Sequence, residues 1–223
     1  MLQAPARKEA ALLTQQSVLC GNHARFHQAC KAGFDYLFVV PALFFLLPLL
    51  IIISLLIKLE SPGPVLHKQR VLGSRGRFFE AYNFRTTYID ASERLRSNRD
   101  KWVAILNHEP QASDPRVTRV GYYLRRLGLE DLPRLFNILN RQMSLVGPHL
   151  LNQHDVMRMG MRQVEAITTV KPGMTGLWQV RAYSTTTTER HALELEYINN
   201  WSLRTDLRIL VESFRVIWEG NIL

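Results

Sequence analysis

The sequence predicts a mostly α-helical protein with a small β element, held at a membrane by one apolar segment near its N-terminus. Three observations lead there. An uncharged run of 22 residues, Tyr36 to Ile57, lies between Asp35 and Lys58. Apolar residues recur at three and four over 117–139 and again over 193–218, the period of a helix with one buried face. Between them, Val65 to Arg70 and Phe78 to Arg85 read as two short strands around the loop Gly73-Ser-Arg-Gly76. The expected organisation is a polar N-terminal extension over 1–33, a membrane helix over 34–58, and a compact domain at the membrane interface over 59–223.

Composition narrows the function classes. The chain has 223 residues, a formal charge of +9 and a pI near 9.9, and its mean hydropathy of −0.08 averages one apolar segment with a polar, basic remainder. Two cysteines exclude a disulfide scaffold, and 47% hydrophobic residues exclude a disordered chain. Anionic lipid is a sufficient partner for the basic charge, at about 1 kcal/mol for each Lys or Arg near the surface. No nucleic-acid module is present, so nucleic acid is not an expected partner.

The extension contains Cys20, His23, His27 and Cys30 in a C-x2-H-x3-H-x2-C pattern. On one straight helix these four spread over roughly 15 Å, too far for a tetrahedral zinc site. An amphipathic helix on lipid is the simpler reading, with Cys30 placed for juxtamembrane acylation. The apolar run would reach roughly 33 Å as a straight helix, enough for a hydrocarbon core of about 30 Å. A cleaved signal peptide fits poorly with 35 residues before the run. Pro48 near its middle predicts a bend. Basic residues on both flanks, Arg25 and Lys31 before and Lys58, Lys68 and Arg70 after, leave a kinked crossing and a re-entrant helix both open.

After the run, Ser61-Pro-Gly-Pro64 should end the helix. The loop at Gly73 and Gly76 matches neither the P-loop nor the dinucleotide fingerprint and reads as a hairpin connection. Val117, Val120, Leu124 and Leu127 predict a helix that Gly128 interrupts. Leu132, Leu135, Phe136 and Leu139 predict the next, with Pro133 in its first turn. Lys171 to Gln179 reads as a turn-rich loop. Leu193–Trp201 and Leu203–Trp218 predict amphipathic helices that pack a core or lie on an anionic leaflet.

Glu130 and Asp131 stand just before the second of these helices. Acids there are ordinary capping residues, but the same position favours an ionised carboxylate able to act as a nucleophile or a magnesium ligand. Arginines around it suit a phosphate-rich substrate, because guanidinium matches phosphate oxygens in pairs. Magnesium needs only one or two protein carboxylates when substrate phosphates complete its shell.

A collinear set of motifs then identifies a likeness. Ser61-Pro-Gly-Pro-Val65, Gln69-Arg70, Gly73, Gly76, Tyr82, Phe84-Arg85, Asp114-Pro-Arg-Val-Thr-Arg-Val-Gly121, Leu132-Pro133, Leu135-Phe-Asn137, Met143-Ser-Leu-Val-Gly-Pro148, Lys171-Pro-Gly173, Thr175-Gly-Leu-Trp-Gln-Val180 and Asn200-Trp-Ser202 resemble, in order, the bacterial sugar transferases, the monotopic phosphoglycosyl transferases. The resemblance covers about 34–223. It implies a re-entrant helix broken at Pro48 with interfacial amphipathic helices, at the cytoplasmic face of a bacterial inner membrane. It further implies transfer of a sugar-1-phosphate from a UDP-sugar to polyprenyl (undecaprenyl) phosphate, with release of UMP, through a carboxylate-phosphosugar intermediate and with Mg2+ as cofactor. On this resemblance Glu130 and Asp131 are the catalytic pair and the metal ligands. Arg70, Arg85, Arg116, Arg119, His149, Gln179 and Arg181 are the expected substrate and phosphate ligands. Expected partners also include the anionic bilayer, and polysaccharide-assembly proteins or a second copy.

The departures are specific. The family's acidic pair runs Asp then Glu, whereas this chain has Glu130 then Asp131, so position points to Glu130 as nucleophile and residue type to Asp131. A usual lysine is Asn83 here, and a usual arginine is His149; Arg134 and Arg181 are the candidates to compensate. A catalytically impaired member acting as a scaffold or regulator of polysaccharide assembly is the alternative reading.

Overall fold

The computed structural model describes residues 4–97, 114–181 and 187–218. It is mostly helical with a small sheet, as expected. Helix α1 runs from Ala4 to Glu60 and takes in both the extension and the apolar run, and its helical backbone continues through Pro41 and Pro48. Its portion Ala29–Glu60 is long and apolar enough to cross a membrane. The side chains of Cys20, His23 and His27 lie outside the described residues.

The apolar run divides into two faces. Val39, Leu43, Leu46, Leu50, Ile53 and Ile57 recur at alternating steps of four and three, and this stripe packs into the cores of the rest of the protein. Leu37, Val40, Phe44, Phe45, Leu47, Ile51, Ile52, Leu55 and Leu56 face outward and are 50 to 77% exposed, apart from Leu56 at 46%. A contiguous apolar surface of that extent fits a membrane-associated helix.

Both ends of the run are tied to the same body. At its start the Tyr36 hydroxyl donates to the Leu139 carbonyl at 2.9 Å, and buried Asp35 accepts from Ser144 Oγ and Leu145 N–H. At its end Glu60 accepts from the backbone N–H groups of Arg119 and Val120, at 2.6 and 2.9 Å.

Strands β1 (Leu66–Leu72) and β2 (Phe78–Phe84) form the expected antiparallel hairpin, Leu66 opposite Phe84 and Leu72 opposite Phe78. Helix α2 covers Ala91–Ser97. Helix α3 (Arg119–Arg126) is capped by the Thr118 side chain, which accepts from Gly121 N–H, and by Glu60. Gly121 lies so close to β2's continuation that an added Cβ would stand 2.1 Å from the Thr86 carbonyl oxygen. Gly128, at φ +65°, ends α3 in the left-handed conformation that a side chain disfavours. A single 3-10 turn, Leu129–Asp131, leads into α4 (Arg134–Leu139).

The segment expected to be a loop, Lys171 to Gln179, instead contributes a strand and the start of a helix. Strand β3 (Ser144–Val146) pairs in parallel with β5 (Gly173–Thr175), while β4 (Leu151–Asn152) adds to β1. Gly147, Gly173 and Gly176 pass backbone to backbone there, too close for any Cβ. Helices α5 (Gln153–Arg158), α6 (Met161–Ile167), α7 (Leu177–Arg181), α8 (Thr187–Asn199) and α9 (Leu203–Trp218) complete the order. Helix α9 has one face in the core and one outward. Ile209 and Asp206 are buried, and Leu203, Leu207, Val211 and Phe214 form an outward apolar stripe.

Candidate active site

Glu130 and Asp131 sit in the turn between α3 and α4, where Gly128 reverses the chain and Pro133 starts the next helix. Their side chains are 31% and 33% exposed, open to a ligand yet held by neighbours. Asp131 Oδ1 accepts from Asn83 Nδ2 at 2.8 Å and pairs with the Arg134 guanidinium at 2.7 Å. Arg134 Nε in turn donates to Asn83 Oδ1 at 3.2 Å, closing a triangle. Glu130 is held more loosely, its Oε2 being 3.5 Å from Arg125 Nε, which also donates to Thr86 Oγ1 at 3.0 Å.

Asn83 is fixed from β2, and β2 is fixed by Asn137. That side chain is fully buried on α4. Its Oδ1 accepts from Tyr82 N–H at 2.9 Å, and its Nδ2 donates to the Glu80 carbonyl and to Gln142 Oε1, each at 2.7 Å. A buried amide that meets both backbone groups of a strand edge does the work of a neighbouring strand.

Burial raises both carboxyl groups above their ordinary range, and for Glu130 the adjacent Asp131 charge adds to it. Arg125 and Arg134 oppose the rise at Glu130, and Arg134 opposes it at Asp131. A position before a helix favours the charged form, and desolvation by burial works against it here.

The other expected ligands fall in separate places. Arg85 is buried, and its two terminal nitrogens donate to the Pro62 and Ser61 carbonyls at 2.7 Å, fastening the turn that ends α1. Arg116 forms a bidentate pair with Asp114, Arg119 is exposed at the start of α3, and Arg70 is exposed over the Phe78 ring. His149 N–H and Nδ1 both meet the buried Glu194 carboxylate, beside Trp178 and His191. Gln179 is half-buried on α7, and Arg181 pairs with Glu196 at 2.8 Å. Among the described residues, no hydrogen bond or ion pair joins the His149 group to Glu130 or Asp131. Asn83 reads from sequence as a lost cation and is instead a direct partner of Asp131. The Asp131–Arg134 spacing of three was the legible sign of the other partner.

The donor set suits a hard cation. Asp131 Oδ2 has no hydrogen-bond partner among the described residues, Glu130 is half-open beside it, and no three-residue cage of His, Cys, Asp or Glu occurs among those residues. Two carboxylates without a cage fit a magnesium ion that completes its shell with substrate phosphates and water.

Comparison with known proteins adds a family. The family model described as bacterial sugar transferase matches residues 26–220. The chain is 38% identical over 191 residues to an undecaprenyl-phosphate glucose phosphotransferase of Komagataeibacter xylinus, covering 81% of this chain and 34% of that one. It is 35% identical over 189 residues to a UDP-glucose:undecaprenyl-phosphate glucose-1-phosphate transferase of Xanthomonas campestris pv. campestris, covering 81% and 37%. It is 34% identical over 196 residues to the exopolysaccharide production protein ExoY of Rhizobium meliloti, covering 84% of each. The chain thus spans about a third of the first two relatives and most of the third.

Proposed function

The chain belongs to the bacterial sugar transferase family, and from that premise we propose that it transfers a sugar-1-phosphate from a UDP-sugar to undecaprenyl phosphate and releases UMP. The relatives' names support the donor and acceptor classes and a place in exopolysaccharide synthesis. The observation that carries the reading for this chain is the pair of adjacent, one-third-exposed carboxylates under Arg125 and Arg134.

The geometry divides the roles. Asp131 has one oxygen committed to Asn83 and Arg134, which fixes its orientation and leaves Oδ2 for magnesium. Glu130 has no such clamp, being held only by the 3.5 Å contact with Arg125, so its carboxylate is the freer of the two to reach a phosphorus. A Glu130 oxygen attacks the β-phosphorus of the UDP-sugar, the bond from that phosphorus to the bridging oxygen breaks, and UMP leaves with the bridging oxygen. The phosphosugar is now an acyl phosphate on Glu130. An oxygen of undecaprenyl phosphate attacks the same phosphorus, the Glu130 O–P bond breaks, and the carboxylate is regenerated beside the lipid diphosphate sugar. Arg134 and Arg125 stand where charge on the transferring group would develop. Magnesium, held by Asp131 and Glu130, would supply charge neutralisation at the diphosphate.

For the membrane, attachment of both Asp35 and Glu60 to one body supports a helix that enters and leaves on the same side, with Pro48 as the bend and α9's apolar stripe on the leaflet. The cytoplasmic face is the side on which a nucleotide sugar is present.

The test is UMP release in nanodiscs containing undecaprenyl phosphate and magnesium, across a panel of UDP-sugars. Release with at least one sugar, lost in Glu130→Ala and in Asp131→Ala, is expected, with a trapped phosphosugar adduct on Glu130. No release across the panel, or an adduct on neither acid, rejects the covalent transferase; an adduct on Asp131 reverses the roles. Cysteine labelling at introduced sites near residues 30 and 62 should report one side of the membrane.

A further inference from the structure

A second cavity, of about 810 Å3, lies away from the carboxylate pair, and none of Asn83, Glu130, Asp131 or Arg134 lines it. The pair precedes α4, whereas Arg141, which lines the cavity, follows α4's other end. Its cations are Lys31, Arg75, Arg77, Arg141 and Lys171, and its one carboxylate is Asp35. Lys31 is committed to Asp206 at 2.5 Å. Among the described residues, Arg75, Arg77, Arg141 and Lys171 have no carboxylate at ion-pair distance, and Arg141's recorded partner is the Tyr36 hydroxyl at 3.1 Å.

Two of these arginines are also held in a costly backbone state. Arg75, in the hairpin connection, and Arg141, just past the end of α4, both have φ of +59°, a left-handed conformation disfavoured for residues with a side chain. Burial holds the Lys171 ammonium below its usual range, with Asp35 opposing and Arg141 and Lys31 adding to the depression. An anion placed here would face three exposed guanidiniums, those of Arg75, Arg77 and Arg141, and the part-buried Lys171 ammonium.

The wall of the cavity says what kind of anion. Ala29, Ala32 and Gly33 of α1 line it, small residues at the point where the helix meets its apolar run. Gly33 shares a helix face with Leu37, Val40 and Phe44, at steps of four, three and four, and these are 69, 55 and 75% exposed. A phosphate held among the cations has an open apolar track leading from it along α1. Trp201, at the entry to α9 and its exposed apolar stripe, also lines the cavity.

We propose that this cavity is a binding site for the phosphate headgroup of an anionic membrane phospholipid, separate from the transfer site, with the acyl chains along the Leu37–Val40–Phe44 face of α1. The proposal goes beyond the transferase reading and does not depend on it.

The test uses the full chain in neutral detergent with dihexanoyl-phosphatidylglycerol below its micellar concentration. Thermal stabilisation and Trp fluorescence are the readouts, and dihexanoyl-phosphatidylcholine, inorganic phosphate and UMP are the comparison arms. The double variant Arg75→Gly/Arg141→Gly removes two cations and relaxes both left-handed residues, so it keeps the fold. Wild type should respond saturably to the glycerol lipid, and the double variant should need about thirtyfold more of it, the scale for two lost cations at about 1 kcal/mol each. Arg158→Ala/Arg162→Ala, two exposed arginines outside the cavity, should match wild type. Equal responses in wild type and double variant overturn the site. Inorganic phosphate or UMP acting at the same concentration as the glycerol lipid overturns the assignment to lipid, and displacement by geranylgeranyl phosphate overturns its separation from the acceptor.

Discussion

Replacing Asn137 by alanine tests how the site is built. The amide meets three partners, and two of them, Tyr82 N–H and the Glu80 carbonyl, are backbone groups of β2 with no other recorded bond across that edge. Gln142, the third, is half-buried and can turn to water. Each orphaned backbone group costs about 1–3 kcal/mol, so the variant should lose about 3 kcal/mol overall. For a chain of this size that is a fall in Tm of roughly 6–12 °C. Thermal unfolding in detergent, followed by circular dichroism, measures it. Asn83 stands one residue beyond Tyr82, so the same variant should loosen Asp131 and slow UMP release more than it raises KM. A loss below about 1 kcal/mol would refute the account of Asn137 as a surrogate strand, because the orphaned groups would then have found other partners.

Arg125→Met removes one of the two charges that oppose the raised pKa of Glu130, so the carboxylate stays protonated to higher pH. The acid limb of UMP release should move to higher pH, and a downward move contradicts the assignment. Gly121→Ala would drive a Cβ onto the Thr86 backbone, 2.1 Å from its oxygen, and should abolish folded, monodisperse protein in size-exclusion chromatography. Lys31→Met leaves the fully buried Asp206, among the described residues, with only the Tyr197 hydroxyl and Trp201 N–H, and should cost about 3 kcal/mol in chemical unfolding at neutral pH, whereas Lys31→Arg should keep most of it.

The elements that announced themselves in the sequence are those whose pattern is local. The run Tyr36–Ile57 needs only composition, and its inward stripe only the helical period. The hairpin over 66–84 and the helices around Gly128 and at the C-terminus carry repeats long enough to count. Strands β3 and β5 do not, because three residues make no period, and their parallel pairing rests on glycines 26 to 29 residues apart in the chain that allow backbones to touch. The mixed Met, His and Arg content of 153–167 likewise hid α5 and α6. At the site, the location of Glu130 and Asp131 was legible from the turn chemistry. The role of Asn83 was not, since 48 residues separate it from Asp131 and only the packing of β2 on α4 brings them together.

Glu60 closes α1 with a carboxylate that seats the first turn of α3, and at α3's far end Arg125 reaches Glu130. On the proposed transferase reading the apolar segment would therefore work as a ruler for the chemistry. Eight residues of rigid helix, about 12 Å, separate the point where α1 surfaces from the guanidinium beside the carboxylates. Whatever sets how deeply α1 sinks, acyl-chain length above all, also sets the height at which a lipid-borne phosphate must arrive to meet them.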